Sequence, residues 1–319
     1  MRSHWKPVVT LLLLTPFLTE LLSGSLPAPA FFRPQVFLFL ATVGYGFPVL
    51  LLREFAVRRQ LGLAGLVLLG LVYGIFNEGI IAKTFYLAAN VPIKNFDSYG
   101  YFGGIAVPWT VTISLWHALH SFLYPLAAVY YFFPNQRETP WLKGREMAWL
   151  AVPTAVIGTL IFFHSGQDRE AGRPGHFILM LMTSGLLIWL AAKLPSAPKM
   201  SGDIRLPTRA VFLGGLGFLA LVLVPVLMAA AKIPVIVFCG YNVLLIVFVL
   251  RRLGRRASLP TTSVLGFAIG DDLLLALFGA AGAMGQGNIE RLITSACFIL
   301  LFGWLIARLR RSGDGRTAR

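Results

Sequence analysis

LGLAGLVLLGLVYGIFNEGIIAKTFY, residues 61–86, decides the fold. An apolar run of about 20 residues is long enough to cross a hydrocarbon core about 30 Å thick. With no water in that core the backbone must satisfy its own hydrogen bonds, and nothing here alternates as barrel strands do. The segment therefore reads as a membrane-spanning helix over 62–82. Gly70, Gly74 and Glu78 recur at i, i+4 and i+8, on one helix face. Two glycines let a neighbouring helix come close, and Glu78 then points into that contact with Asn77 beside it. Lys83, at the span end, either snorkels outward or pairs with a carboxylate, and a Glu78–Lys83 pair that only fixes packing is the plainest reading.

Similar runs recur along all 319 residues, of which 57% are hydrophobic and 13% charged, about half the charge of an ordinary soluble domain. The expected fold class is all-α: a polytopic helical membrane bundle of ten spans. They fall at 7–23, 35–55, 62–82, 107–132, 147–164, 176–193, 209–230, 233–250, 262–281 and 289–307. Of the 28 Lys and Arg residues, 21 fall on the side that holds both termini. The positive-inside rule places that side in the cytoplasm, N-in and C-in. The whole chain, 1–319, reads as one integral membrane domain with a short basic cytoplasmic tail, 308–319. The first span, 7–23, followed by Ala28-Pro29-Ala30, also has the look of a secretory signal. A net charge of +15 invites nucleic acid as a partner, but the basic residues sit in short loops between spans, so the expected partner is the lipid bilayer and not nucleic acid. Cys239 and Cys297 fall inside spans and read as small apolar fillers. A multi-pass protein of a prokaryotic inner membrane is the expected setting.

Ionisable groups within spans are costly and mark protein-facing or wet positions. At 1.5 Å per residue, Glu20, Glu78 and His117 share the outer half of the bilayer. His117 and His120, in WHALHSFLYP (116–125), have Ser114 and Ser121 at i, i+3 and i+4 spacings. Imidazole can serve there as a base, a proton shuttle or a ligand. A divalent metal held by Glu78, His117 and His120 is one expectation, packing histidines another. Asp271 and Asp272 fall mid-span after Gly266 and Gly270. Successive helix residues point about 100° apart, so the two are expected to face different partners, with one protonated or paired, or with the helix broken at Gly270. A shift of the span that puts both at a helix start is the alternative. Arg53 and Glu54 read as an ion-pair anchor at the cytoplasmic interface, Glu54 facing Arg58 at i, i+4. His164, with Asp168, ends the fifth span on the outer side. The outer connection, 83–106, either lies on the membrane or dips into it.

Four stretches, TPFLTELLSGS (15–25), REFAVRR (53–59), YGIFNEGIIAKTFY (73–86) and WHALHSFLYP (116–125), make the N-terminal part resemble a group of uncharacterised prokaryotic multipass proteins. The Asn77-Glu78 position often looks like a Glu-Glu pair in that group. The resemblance implies topology and no activity. More distantly, Asn77-Glu78 with Lys83, Trp116-x-x-x-His120 and His164-x-x-x-Asp168 resemble, in order, the motifs of CAAX-protease and bacteriocin-processing membrane proteins. That likeness implies an intramembrane peptidase, although the first Glu of the pair is missing here.

Two activities and one inactive role follow as expectations. An intramembrane hydrolase uses Glu78 to activate water and His117 or His120 to stabilise the developing oxyanion, with a site open to the outer face. A proton- or cation-coupled transporter uses Asp271 or Asp272. In a non-catalytic assembly or scaffold protein, the buried acids and bases simply pair.

Overall fold

The computed structural model describes residues 4–164, 173–196, 207–254 and 261–314. Helices stand at all ten places expected. They are α1 (Trp5–Pro16, continued by Phe17–Leu21), α2 (Pro34–Arg58), α3 (Leu63–Ile81), α4 (Val107–Trp116, His117–Leu123 and Tyr124–Phe132 in one rod) and α5 (Gly144–His164). Then come α6 (Pro174–Lys193), α7 (Thr208–Ala230), α8 (Val235–Gly254), α9 (Thr261–Gln286) and α10 (Ile289–Asp314). Seven of them, α2, α3, α5, α6, α7, α9 and α10, are long and apolar enough to cross a membrane, and α8 carries a shorter apolar stretch, Val235–Phe248. Their starts follow local chemistry: Pro34, Pro108 and Pro174 stand in first turns, where a missing amide costs nothing.

The interior is built by α1, α2, α3, α4 and α9, which supply Leu11, Leu22, Val49, Leu69, Tyr73, Phe122, Leu126 and Ile269 to one continuous core. By contrast, Trp149 of α5, Met182 of α6, Phe212 of α7, Leu244 of α8 and Leu300 of α10 are largely exposed, as suits helices whose outer faces meet lipid. Two crossings are close because glycine makes them so. A Cβ on Gly70 would lie 2.7 Å from Ala118 Cα, and one on Gly74 2.7 Å from Ser114 Cα. Between α7 and α9, a Cβ on Gly214 or Gly270 would collide with the carbonyls of Phe267 and Val211.

Five helices carry a π turn, in which the amide bonds five residues back. Leu22 N donates to Phe17 O at 3.1 Å, Tyr45 N to Leu40 O at 3.0 Å and Ala82 N to Asn77 O at 2.7 Å. The other two π turns are His117–Leu123 and Leu219–Leu223. Such turns displace carbonyls from the regular ladder and gather at functional sites.

One expectation is corrected here. The helix does not break at Gly270: α9 runs unbroken, and the glycine serves the crossing with α7. The 83–106 connection is folded and caps the starts of α4 and α8. It holds short 3₁₀ turns and a hairpin pairing β1 (Tyr101–Phe102) with β2 (Ile105–Ala106), and it packs Val91, Phe96 and Tyr99 on Trp109 and Phe238. Burial of Tyr99 raises its phenol above the ordinary value.

Arg53 and Glu54 form the expected ion pair and are fully buried in the protein, with Arg58 Nη2 3.8 Å from Glu54 Oε2 at the expected i, i+4 spacing. Arg53 Nη1 meets Glu54 Oε1 at 2.5 Å, and its Nη2 donates to the Gln136 and Arg137 carbonyls at 3.1 and 3.0 Å. The Arg53 guanidinium lies 3.6 Å from the Trp141 ring centroid, while Glu54 accepts the Trp141 amide at 2.9 Å. The pair thus folds the α4–α5 loop back onto the bundle. Arg291, at the start of α10, donates to the Leu21 and Ser23 carbonyls at 3.1 and 2.6 Å, and Glu290 accepts the Ala28 amide at 2.6 Å. The last helix therefore caps the end of the first.

Candidate functional site: two buried polar clusters on the fourth helix

The polar residues converge where the π turns are. Thr19 and Glu20 lie in the turn of α1, Gly44 in that of α2, Asn77 and Glu78 in that of α3, and His117, His120 and Ser121 in that of α4. Two clusters result, back to back on α4.

The outer cluster is centred on His117. Its Nε2 lies 2.8 Å from Glu78 Oε1, and its Nδ1 lies 2.7 Å from Ser121 Oγ. Thr19 Oγ1 meets Ser121 Oγ at 2.9 Å. The other Glu78 oxygen accepts from Thr84 Oγ1, which accepts the Trp109 indole N–H at 2.8 Å. One set of directions that serves the imidazole has Ser121 donating to His117 Nδ1 and His117 Nε2–H donating to Glu78; the single hydroxyl proton of Thr19 is shared between Ser121 and the Thr15 carbonyl, also 2.9 Å away. Tyr45 and Tyr73 pack on the imidazole with centroids 6.1 and 5.7 Å away. Tyr45 donates to Glu20, whose second oxygen accepts from the exposed Ser25 at 2.6 Å. Asn77 does not act as a second acid: its Nδ2 donates to Tyr73 Oη at 2.9 Å and to the Gly44 carbonyl at 3.2 Å. Lys83 ends α3 in the left-handed region, φ 59°. It reaches the last turn of α5 and donates to the Ile161 and Phe162 carbonyls at 3.2 and 3.4 Å, where a cation suits the helix dipole. Burial lowers its ammonium pKa.

The inner cluster takes His120, which was expected beside Glu78. His120 stacks on Trp116 at 3.6 Å between centroids and is fully buried. Its Nε2 points at Asp272 Oδ1, 3.4 Å away, and Asp271 Oδ2, 3.8 Å away. The two aspartates therefore share a partner, contrary to the expectation from helix phase: His120 sits between them. Asp271 also accepts from Tyr124 Oη. The Nδ1 atom of His120 lies 3.2 Å from the Trp116 carbonyl, which can only accept, so Nδ1 carries a proton. In the neutral tautomer Nε2 is then a lone pair facing carboxylate oxygens. His120 Nε2, Asp271 Oδ1 and Asp272 Oδ1 are all buried without a hydrogen-bond partner, a rare and expensive condition.

With His120 in the inner cluster, Glu78, His117 and His120 do not close around one ion. Among the described residues no three His, Cys, Asp or Glu side chains are arranged to hold a metal. His164 is exposed at the end of α5, and Asp168 lies outside the described residues. The roles of Tyr45, Tyr73 and Tyr124 escaped sequence reasoning because a tyrosine in a span looks like any other aromatic.

No curated protein and no solved structure matches the chain. The model of an uncharacterised membrane protein family matches residues 9–311, so the chain belongs to that family and, with its several apolar helices, is a multi-pass protein of the lipid bilayer.

Proposed function

We propose that this is a proton-coupled membrane transporter, with ten spans and both ends in the cytoplasm of a prokaryotic inner membrane, and that His120, Asp271 and Asp272 hold the coupling proton. One observation carries the reading: the buried His120 imidazole faces two carboxylates at 3.4 and 3.8 Å, and its Nε2 and one oxygen of each acid have no hydrogen-bond partner. Two aspartates charged together at this depth cost several kcal/mol, and acceptors that face one another need a proton shared among them. The site lies midway along its helices, roughly 15 Å from the Thr261 end of α9 and roughly 20 Å from the start of α4. Beside it, Tyr45 packs on His117 of the outer cluster and donates to Glu20, which also accepts from the exposed Ser25.

The test is an acid jump on proteoliposomes adsorbed to a solid-supported membrane. Protons entering a site at mid-depth displace charge, so wild-type protein gives a capacitive transient. Asp271→Asn with Asp272→Asn abolishes it. A wild type as silent as protein-free vesicles, or a double variant with an unchanged transient, removes the reading.

A second reading, the intramembrane hydrolase, rests on the order Ser121–His117–Glu78, which is that of a nucleophile, a base and the acid that orients it. Both Glu78 oxygens and both His117 nitrogens are occupied by side chains, so water activation requires one of these bonds to open. Labelling of wild type but not Ser121→Ala by a fluorophosphonate supports this reading, and equal labelling of both discards it.

A further inference from the structure

Resting on the transporter reading, we infer that the coupling proton sits between Asp272 and His120, and that Tyr124 is a positioning residue that keeps Asp271 an anion beside it. Hydrogen bonding sorts the two aspartates. Asp271 Oδ2, the oxygen that faces His120, already accepts the Tyr124 hydroxyl. Asp272 Oδ1 has no hydrogen-bond partner and lies nearer, 3.4 Å from His120 Nε2 against 3.8 Å for Asp271. His120 Nε2 is itself unpartnered, and its ring is fixed by the stack on Trp116 and by Nδ1 at the Trp116 carbonyl. One proton between Asp272 Oδ1 and His120 Nε2 therefore partners both atoms, whereas a proton on Asp271 Oδ2 competes with a donor already in place.

Two pairs of residues build the arrangement. His120 and Tyr124 stand four apart on α4, and Phe267 and Asp271 four apart on α9. The Tyr124 ring lies 5.0 Å from that of His120 and 6.3 Å from that of Phe267, and its hydroxyl crosses to Asp271. A hydrogen bond to the charged form of a carboxyl group favours that form, so Tyr124 lets Asp271 stay ionised at mid-depth. Two bare carboxylates there hold a proton tightly, because releasing it leaves both charged; one donor supplied by the protein eases the release. In each cycle one proton from water on one face joins Asp272 Oδ1 and His120 Nε2, the site passes from two negative charges to one, and the same proton leaves to the other face. The titratable groups facing the site are His120 and Tyr124 from α4 and Asp271 and Asp272 from α9. On the helices packed around it, Glu20 of α1 is engaged with Tyr45 and Ser25, Glu78 of α3 with His117 and Thr84, Tyr241 of α8 with the Ala220 carbonyl, and Arg291 of α10 with the Leu21 and Ser23 carbonyls, while Arg209 of α7 is exposed.

The experiment titrates the acid-jump transient of full-length protein in proteoliposomes, from an alkaline start to a series of final pH values, and reads the pH at which the transient is half-developed. Tyr124→Phe is expected to keep the transient and raise that midpoint by about one pH unit or more, since ionised Asp271 loses a hydrogen bond to a charged group. Asp271→Asn is expected to keep it and lower the midpoint, since the proton loses the neighbouring charge that favours it. Tyr124→Phe added to Asp271→Asn is expected to bring no upward shift, a dependence that packing damage alone does not produce. Asp272→Asn is expected to lose the transient. Tyr124→Phe keeps the ring and its packing, so it decides the matter where an asparagine variant fails to fold. Tyr124→Phe without the upward shift, a transient that survives Asp272→Asn, or one that is lost in a folded Asp271→Asn overturns the placement of the proton and leaves the transporter reading standing. A silent wild type overturns both.

Discussion

Glu78 and His117 meet at 2.8 Å because Gly70 and Gly74 let α3 lie against α4. That contact was legible in the sequence, since the i, i+4, i+8 spacing puts two glycines and an acid on one face. The place of His120 was not. Three residues along a regular helix leave His117 and His120 on neighbouring faces, but His117–Leu123 is a π turn, which swings His120 further round and aligns His117 with Ser121 instead. No side-chain type in that stretch announces the turn. The Glu78–His117 bond gives a measurable coupling: in a cycle of Glu78→Ala, His117→Ala and the double variant, each single loss leaves a buried group unpaired and costs about 1–3 kcal/mol, and the double variant is expected to lose less than the sum. Reversible unfolding in mixed micelles reads it, and strict additivity contradicts the pairing.

Helix crossings and loop clamps set the next scale. Gly74→Val places a branched side chain where a Cβ alone comes within 2.7 Å of Ser114 Cα. The expected outcome is a thermal unfolding midpoint lowered by an overpacking cost of about 1–3 kcal/mol, and an unchanged midpoint counts against the close crossing. Arg53 and Glu54 show where sequence reasoning stops short. The pairing of Glu54 with Arg53 and Arg58 was legible, but the loop 133–143 folds over it, and nothing local in REFAVRR tells that a distant loop supplies carbonyls and a tryptophan. Removing one partner strands the other charge, so Arg53→Met is expected to cost about 3–5 kcal/mol. It also shifts the emission of Trp141, which loses the guanidinium on its ring. A variant as stable as wild type speaks against the clamp.

For the molecule as a whole, the apolar runs were readable because a bilayer imposes length and composition on a span, and helices stand at all ten runs, seven of them long and apolar enough to cross. The pairing of His120 with Asp271 and Asp272 was not readable, since it joins residues about 150 positions apart through a helix packing that no local pattern encodes. The proposed orientation rests on the distribution of Lys and Arg, and two single cysteines test it in a background without Cys239 and Cys297. Phe102→Cys, at the exposed tip of the cap hairpin, is expected to react with an impermeant maleimide added to intact cells. Arg59→Cys, exposed at the end of α2, is expected to react only after permeabilisation. The reverse pattern inverts the topology.

The central claim is that a proton resides among His120, Asp271 and Asp272 in the middle of the bilayer, and infrared titration of the protein in lipid tests it most directly. Wild type is expected to show a protonated-carboxyl band that bleaches on alkalinisation and shifts in deuterium oxide, and the band should be altered by Asp271→Asn and by Asp272→Asn but not by Glu54→Gln. A wild type with no titrating carboxyl band, or a band untouched by either aspartate substitution, contradicts the account.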